Sequence, residues 1–245
     1  MVQGPRRTAR SGPPLIRLLA RLTDVELPAS GQALSERLSQ WLGWTDAIAL
    51  STVLNGETPA ALAGQPAGTG TSEREYARVR GTLSAAIAND RVLAPAPARG
   101  RSRATLPAPV EAPVEYLVYR ERYRYLQQAM ENGIGTLRTR VRTALAAATP
   151  EMARLAVLDA VMERALGARE RSLLAGIAGL LESRFERLRQ EAQDTPAAQA
   201  AWLDRFRQDM RDVLLAELDV RLQPVEGLLA ALRASASGHH EPIPR

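Results

Sequence analysis

Between Pro113 and Ala148 the apolar side chains fall on a single stripe. Tyr116, Tyr119, Tyr123, Leu126 and Met130 recur at steps of 3, 4, 3 and 4, the a/d alternation that keeps one face of a helix against a partner helix. Ile134, Leu137, Val141 and Ala144 continue the stripe. Two successive steps of 4, into and out of Met130, make a stutter, which locally unwinds a supercoil. Gly133 and Gly135 sit at that point and predict a bend or a close helix approach. The other faces carry Arg120, Glu121, Arg122, Arg124, Glu131, Arg138, Arg140 and Arg142. One apolar stripe cannot stabilise so long a helix by itself; its partners come from the same chain or from a second copy.

Helical signals run through the rest of the chain. Pro13-Pro14 opens a basic amphipathic helix whose Leu15, Leu18, Leu19 and Leu22 share a face, read as a core helix rather than a membrane-surface one. Ser30 caps a second helix with Ala33, Leu34, Leu38, Trp41 and Leu42 inward. Gly43 ends it and Asp46 caps a third, carrying Ile48, Leu50, Val53 and Leu54. Trp41 and Trp44 flank this turn and predict a tight corner wedged by two indoles. The outline is that of a helix-turn-helix, but AIALSTVLN offers only Asn55 to a base edge, and at the wrong end. The glycines between Gly64 and Ser72 have no preceding strand and no lysine, so they read as linker, not as a phosphate loop. Thr71 or Ser72 caps a helix to about Asp90, with Tyr76, Val79, Leu83 and Ile87 on one face.

Residues 92–112, VLAPAPARGRSRATLPAPVEA, lack periodicity and form the clearest boundary. After the long helix, Thr149-Pro150-Glu151 is a start signal: cap, proline at the first position, then an acid. Leu155, Leu158, Val161, Met162, Ala165 and Leu166 give that helix its face, and Gly167 stops or kinks it. A further helix holds Leu173, Leu174, Ile177, Leu180, Leu181, Phe185 and Leu188. The last, opened by Thr195-Pro196, carries Leu203, Phe206, Met210, Leu214, Leu218 and Leu222; Pro224 breaks or kinks it before Val225, Leu229 and Leu232 resume the spacing. No strand candidate alternates convincingly. The expected fold is all-α: a disordered basic arm (1–12), a small N-terminal helical domain (13–91), a Pro/Ala/Arg-rich linker (92–112), a C-terminal antiparallel helical bundle or coiled coil with the long Tyr-rich helix (113–234), and a disordered tail (235–245).

Composition excludes more chemistry than it offers. The 245 residues include no cysteine, so there is no disulfide, thiolate nucleophile or cysteine zinc site. They include no lysine, since all 32 basic residues are arginine, which removes Schiff-base chemistry and a P-loop lysine. The net charge of +5 comes from Arg6, Arg7 and Arg10 and from Arg99, Arg101 and Arg103 against Glu111, leaving the helical segments neutral. A folded nucleic-acid face would show a basic patch. The only histidines, His239 and His240 beside Glu241, lie in the polar tail and lack the ligand count of a metal site. Asp209, Asp212 and Asp219 sit among Arg205, Arg211 and Arg221 and read as surface ion pairs. No Glu-x-x-His pair exists for a di-metal bundle. No apolar run approaches a membrane span, and Arg17 and Arg21 interrupt the segment after Arg6-Arg7, which argues against a secretory signal.

No catalytic, cofactor-binding or metal-binding residue is therefore assigned, and no cofactor. The residues expected to make contacts are Tyr116, Tyr119, Tyr123 and Tyr125, interleaved with arginines that would let them stack on bases; Trp41 and Trp44; and Arg99, Arg101 and Arg103, which could grip phosphate or an acidic partner. Three of those tyrosines fall on the seam, where core packing is the simpler role; Tyr125 falls off it and is the best exposed aromatic. The expected function is a non-catalytic, cytoplasmic helical scaffold or adaptor for other helical proteins, with homo-oligomerisation one way to close the seam. The alternative is a nucleic-acid-associated protein using its arginine tracts.

Four segments also carry a family resemblance: PLIRLLARLTDVELP, LSERLSQWLGWTDAIALSTVLNG, VLDAVMERALGARERSLLAGIAGLLESRFERLRQ and WLDRFRQDMRDVLLAELDVRLQPVEGLLAAL. Together they resemble the bacterial domain-of-unknown-function family thirty-three forty-eight, most specifically around Trp41–Asp46 and Leu218–Leu232. The resemblance implies no activity and no catalytic residue. It implies gene neighbours encoding a proton-channel-like inner-membrane protein and a peptidoglycan-binding outer-membrane-type protein, and hence an accessory subunit of an envelope complex.

Overall fold

The computed structural model describes residues 13–23, 34–56, 69–95, 115–193 and 196–238. Among these residues there are eight helices and no strand: α1 (Pro14–Thr23), α2 (Leu34–Trp41), α3 (Trp44–Asn55), α4 (Thr69–Ala88), α5 (Tyr116–Ala146), α6 (Pro150–Ala175), α7 (Ile177–Glu191) and α8 (Pro196–Gly238). The fold is all-α, as the periodicity predicts. By contact the chain falls into two compact units. One gathers Met1–Leu27, Ser84–Ala129 and Gly176–Glu217; the other gathers Pro28–Leu83, Met130–Ala175 and Leu218–Arg245. The division passes through α4, α5 and α8 and does not follow the sequence boundary at residues 92–112. Residues 235–238 of the expected tail continue α8; the basic arm, the tail beyond Gly238 and residues 96–112 of the expected linker lie outside the described residues.

The seam of α5 is buried along its whole length, from Tyr116, Tyr119 and Tyr123 through Leu126, Met130 and Ile134 to Leu137, Val141 and Ala144. The glycines beside the stutter make no close approach. A Cβ at Gly133 would rest 3.7 Å from a Leu83 methyl, ordinary van der Waals distance, and one at Gly135 would meet nothing within 4 Å. Three other expectations need correction. α6 runs unbroken through Gly167 and yields only at Gly176, before α7. α8 runs as one helix with Pro224 inside it, so the proline does not break it, and Val225, Leu229 and Leu232 beyond it resume the buried spacing as expected. The start of the expected linker is packed: Leu93 is fully buried, and its N–H and that of Val92 donate to Asp90 Oδ1 at 3.2 and 2.9 Å. Asp90 there closes the C-terminal end of α4 as a turn-forming acceptor.

In the first unit α5 and α8 run in the same direction, since Tyr116 and Tyr119 face Phe206 while Tyr123 and Gln127 reach Glu217. The interior there is aromatic. Phe185 of α7 and Phe206 of α8 stand edge to face at 5.0 Å, ringed by Tyr116, Tyr119 and Trp202. In the second unit α4 runs against both α5 and α8: Val79 and Leu83 lie near Gly133 and Glu75 pairs with Arg140, while Glu73 pairs with Arg233 and Arg80 with Asp219. α6 also opposes α5: Glu131 pairs with Arg171, while Arg138 and Arg142 further along α5 pair with the earlier Asp159 and Glu163. In this unit α4 thus opposes α5 and α8, and α6 opposes α5, whereas α5 and α8 in the first are parallel. Thr149 caps α6 as the sequence predicts, accepting from the Met152 N–H at 3.2 Å. The Glu151 carboxyl is held below its ordinary range by a backbone N–H and by the Thr149 hydroxyl.

Candidate interaction surface

In α3 composition and burial disagree sharply. WTDAIALSTVLN has a single charged residue and apolar side chains all round, and not one of its residues is buried. Asp46, Ala49, Leu50 and Val53 are half-buried on the side that packs on α6. Arg154 of α6 fixes that seat by donating from Nε to the Val53 carbonyl at 2.8 Å, a cation at a helix C-terminus, where the dipole favours it. Asp46 is not the cap that its type suggests. α3 begins at Trp44, and the Asp46 carboxylate reaches back to the Gly43 N–H at 3.0 Å.

The opposite side is open. Trp44 is 82% exposed, Ile48 51% and Leu54 54%, with the small residues Ala47 and Ser51 between them. Trp41, at the end of α2, is exposed at its rim and lies under the Arg169 guanidinium, 5.8 Å from its ring centre. The expected wedge of two indoles is therefore not formed: Trp44 presents itself outward, while Trp41 is covered over most of its surface. The polar groups of α3 are spent on their own helix. Asn55 Nδ2 donates to Ser51 Oγ at 3.1 Å and Thr52 Oγ1 to the Ile48 carbonyl at 2.9 Å. Asn55, the only base-reading candidate in this helix, is committed to its neighbour. What remains for a partner is apolar and aromatic area.

The tyrosines divide differently. Tyr116, Tyr119 and Tyr123 are buried and offer no stacking surface. Tyr116 donates its hydroxyl to the Ala178 carbonyl, and burial pushes its phenol up to about 12. Tyr123 donates to Glu217 Oε2 at 2.5 Å, and Gln127 Nε2 donates to both oxygens of that carboxylate, which is fully buried. Tyr125 is 60% exposed, as its place off the seam predicts. Its ring lies 4.5 Å from the Arg122 guanidinium, itself bound to the buried Asp90 at 2.5 Å. Arg99, Arg101, Arg103 and the two histidines lie outside the described residues.

Ion pairs between helices are the feature the sequence reading placed least well. Arg138 and Arg142 of α5 interlock with Asp159 and Glu163 of α6 at 2.5–3.5 Å. The signal was present as complementary charges four residues apart on two neighbouring helices. Asp209 and Asp219 are ion-paired as expected, but with Arg184 and Arg80 of other helices. The first unit has an open cleft of about 600 Å³ lined by Arg21, Leu22, Arg184, Glu191, Arg205 and Asp209. Its walls carry both signs, and Arg184 is already bound to Asp209 at 2.9 Å. Among the described residues no His, Cys, Asp or Glu cluster could hold a metal ion, and no helix is long and apolar enough to cross a membrane.

Comparison with known proteins finds no matching curated protein and no matching solved structure. One family, described as a protein of unknown function (DUF3348), matches residues 1–234. With that match spanning all eight helices but the end of α8, the chain belongs to the DUF3348 family.

Proposed function

We propose that this protein is a non-catalytic helical adaptor, and that the outward face of α3 takes up an apolar helix of a partner protein. The observation that carries the reading is the exposure of Trp44, Ile48 and Leu54 on a helix with no buried residue. Exposed apolar clusters on soluble folds mark contact sites, and tryptophan is enriched among the residues that dominate binding energy. The face carries no free charge, so an uncharged helical stripe suits it better than a phosphate backbone does. The gene neighbours implied by the family resemblance point to a subunit of an inner-membrane, channel-like complex as that partner, met from the cytoplasmic side.

The test is photocrosslinking in the native host from a reactive residue placed at position 48, followed by mass spectrometry. A defined protein captured from position 48, absent with a tag-only control and lost in Trp44→Ala, supports the reading. Equal capture by Trp44→Ala and the parent chain would refute it. Recovery of nucleic acid, removed by nuclease and insensitive to Trp44, would move the function to the arginine tract at residues 99–103.

A further inference from the structure

Pro224 lies inside α8, where proline has no N–H for the helix ladder and its ring crowds the carbonyl four residues back, that of Val220. The missing bond leaves such a helix free to open on the proline side and bend toward the opposite one. Asp219 and Glu226 flank Pro224 on that opposite side, about 140–160° round the helix from it at 3.6 residues per turn. One side chain of α4 holds both: Arg80 Nη2 pairs with Asp219 Oδ1 at 2.8 Å and Nη1 with Glu226 Oε1 at 3.4 Å. Tyr76, one turn earlier on α4, completes the arrangement. Its hydroxyl donates to Glu226 and accepts from Arg80 Nη1 at 2.9 Å. On the proline side there is room. Pro224 and Arg221 line a cleft of about 80 Å³ with Gly135 of α5 and Gly167 and Glu170 of α6, and a Cβ at Gly135 would touch nothing within 4 Å.

We propose that Arg80 is a clip that limits bending of α8 at Pro224, making residues 219–226 a hinge whose freedom is set by the state of that clip. The guanidinium bridges two carboxylates two turns apart, one on each side of the missing ladder bond. Lysine keeps the charge but presents a single nitrogen, so it cannot hold both in this geometry. The clip is partly exposed, with Arg80, Asp219 and Glu226 side chains 43%, 50% and 45% accessible, so salt weakens it. The hinge stands apart from the α3 face and does not depend on the adaptor reading.

The test is hydrogen exchange by mass spectrometry on the full chain, following peptides over residues 216–232. Arg80→Gln and Arg80→Lys should each speed exchange in this stretch about tenfold while α6 is unchanged, the mark of local rather than global opening. The parent chain at roughly 1 M salt should approach the same rates. In a Pro224→Ala background, where the ladder bond is restored and no bend is imposed, Arg80→Gln should change the rates less than about twofold. Equal acceleration in both backgrounds would overturn the proposal by making Arg80 an ordinary surface pair. So would the absence of any change with Pro224 in place. If Arg80→Gln unfolds the chain globally, Arg80→Lys and the salt series still decide.

Discussion

The two compact units share α4, α5 and α8 and yet differ in what fills their interiors. In the unit built on the first half of α5 the centre is aromatic: Phe185 and Phe206 stand 5.0 Å apart, with Tyr116, Tyr119 and Trp202 set around them at 5.1–6.2 Å. In the unit built on the second half, the same seam turns aliphatic through Ile134, Leu137 and Val141, and arginine clips join the helices at its margins. The change falls at the stutter around Met130, where α5 passes from one unit to the other. Edge-to-face rings fix orientation as well as distance. Ion pairs at the rim of an aliphatic seam fix register but respond to salt. The unit with the aliphatic seam is the one that carries both the exposed α3 and Pro224.

The sharpest way to break this contrast is to empty the aromatic centre. Phe206 is fully buried, and Phe206→Ala should cost about 3–5 kcal/mol in urea denaturation, with no dependence on salt. In the other unit Asp159→Ala strips Arg138 and Arg142 of a shared carboxylate that is 12% exposed. The loss should be about 2–3 kcal/mol, moderated because Glu163 remains, and should shrink as salt is raised. If the two variants respond alike to salt, the distinction between the units fails.

Tyr116 carries the next effect. Tyr116→Phe leaves the Ala178 carbonyl without its donor and should cost about 1–2 kcal/mol near neutral pH. Burial raises its phenol to about 12, so the folded state keeps a proton that the unfolded chain releases at its ordinary value of about 10. The stability from the neutral phenol is complete below about pH 10 and is lost as pH rises toward 12. The urea midpoint should fall across that window, and Tyr116→Phe should flatten the fall. Burial and Glu226 also raise the Tyr76 phenol, so some slope will persist in the variant from the other unit. A smaller effect of opposite sign is expected at Gly135, where open space awaits a methyl. Gly135→Ala should raise stability by about 0.5–1 kcal/mol, read as a higher thermal midpoint.

The α5 seam was legible because a 31-residue helix repeats its pattern often enough to define it. What was misread were single residues set against long packed surfaces. Gly167 looked like a stop, but one glycine costs a helix about 1 kcal/mol, and α6 continues to bury Leu174 beyond it. Pro224 looked like a break, but Val225, Leu228, Leu229 and Leu232 are buried after it and Arg80 spans it. The candidate site failed for the opposite reason. Apolar residues around Trp41 and Trp44 were read as a filled corner because composition reports what a side chain prefers, not whether the fold supplies a cover. The legible warning was the lack of any stripe in α3: a helix apolar all round is either enclosed or waiting for something.

That leaves the smallest stability effect as the most informative about function. Trp44 is 82% exposed, and α3 buries none of its residues. Trp44→Ala should therefore shift stability by less than about 0.5 kcal/mol, in contrast to the aromatic positions of the other unit. If the variant instead unfolds easily, the indole is structural and α3 is not a free face. If stability holds and the crosslinked partner disappears, the same side chain is dispensable to the fold and necessary to the contact. Ile48→Asp makes the discrimination independent of indole chemistry. A carboxylate at a site 51% exposed is tolerated in water but must be desolvated against an apolar partner. Binding should then fall more steeply than in Trp44→Ala, with the thermal midpoint nearly unmoved.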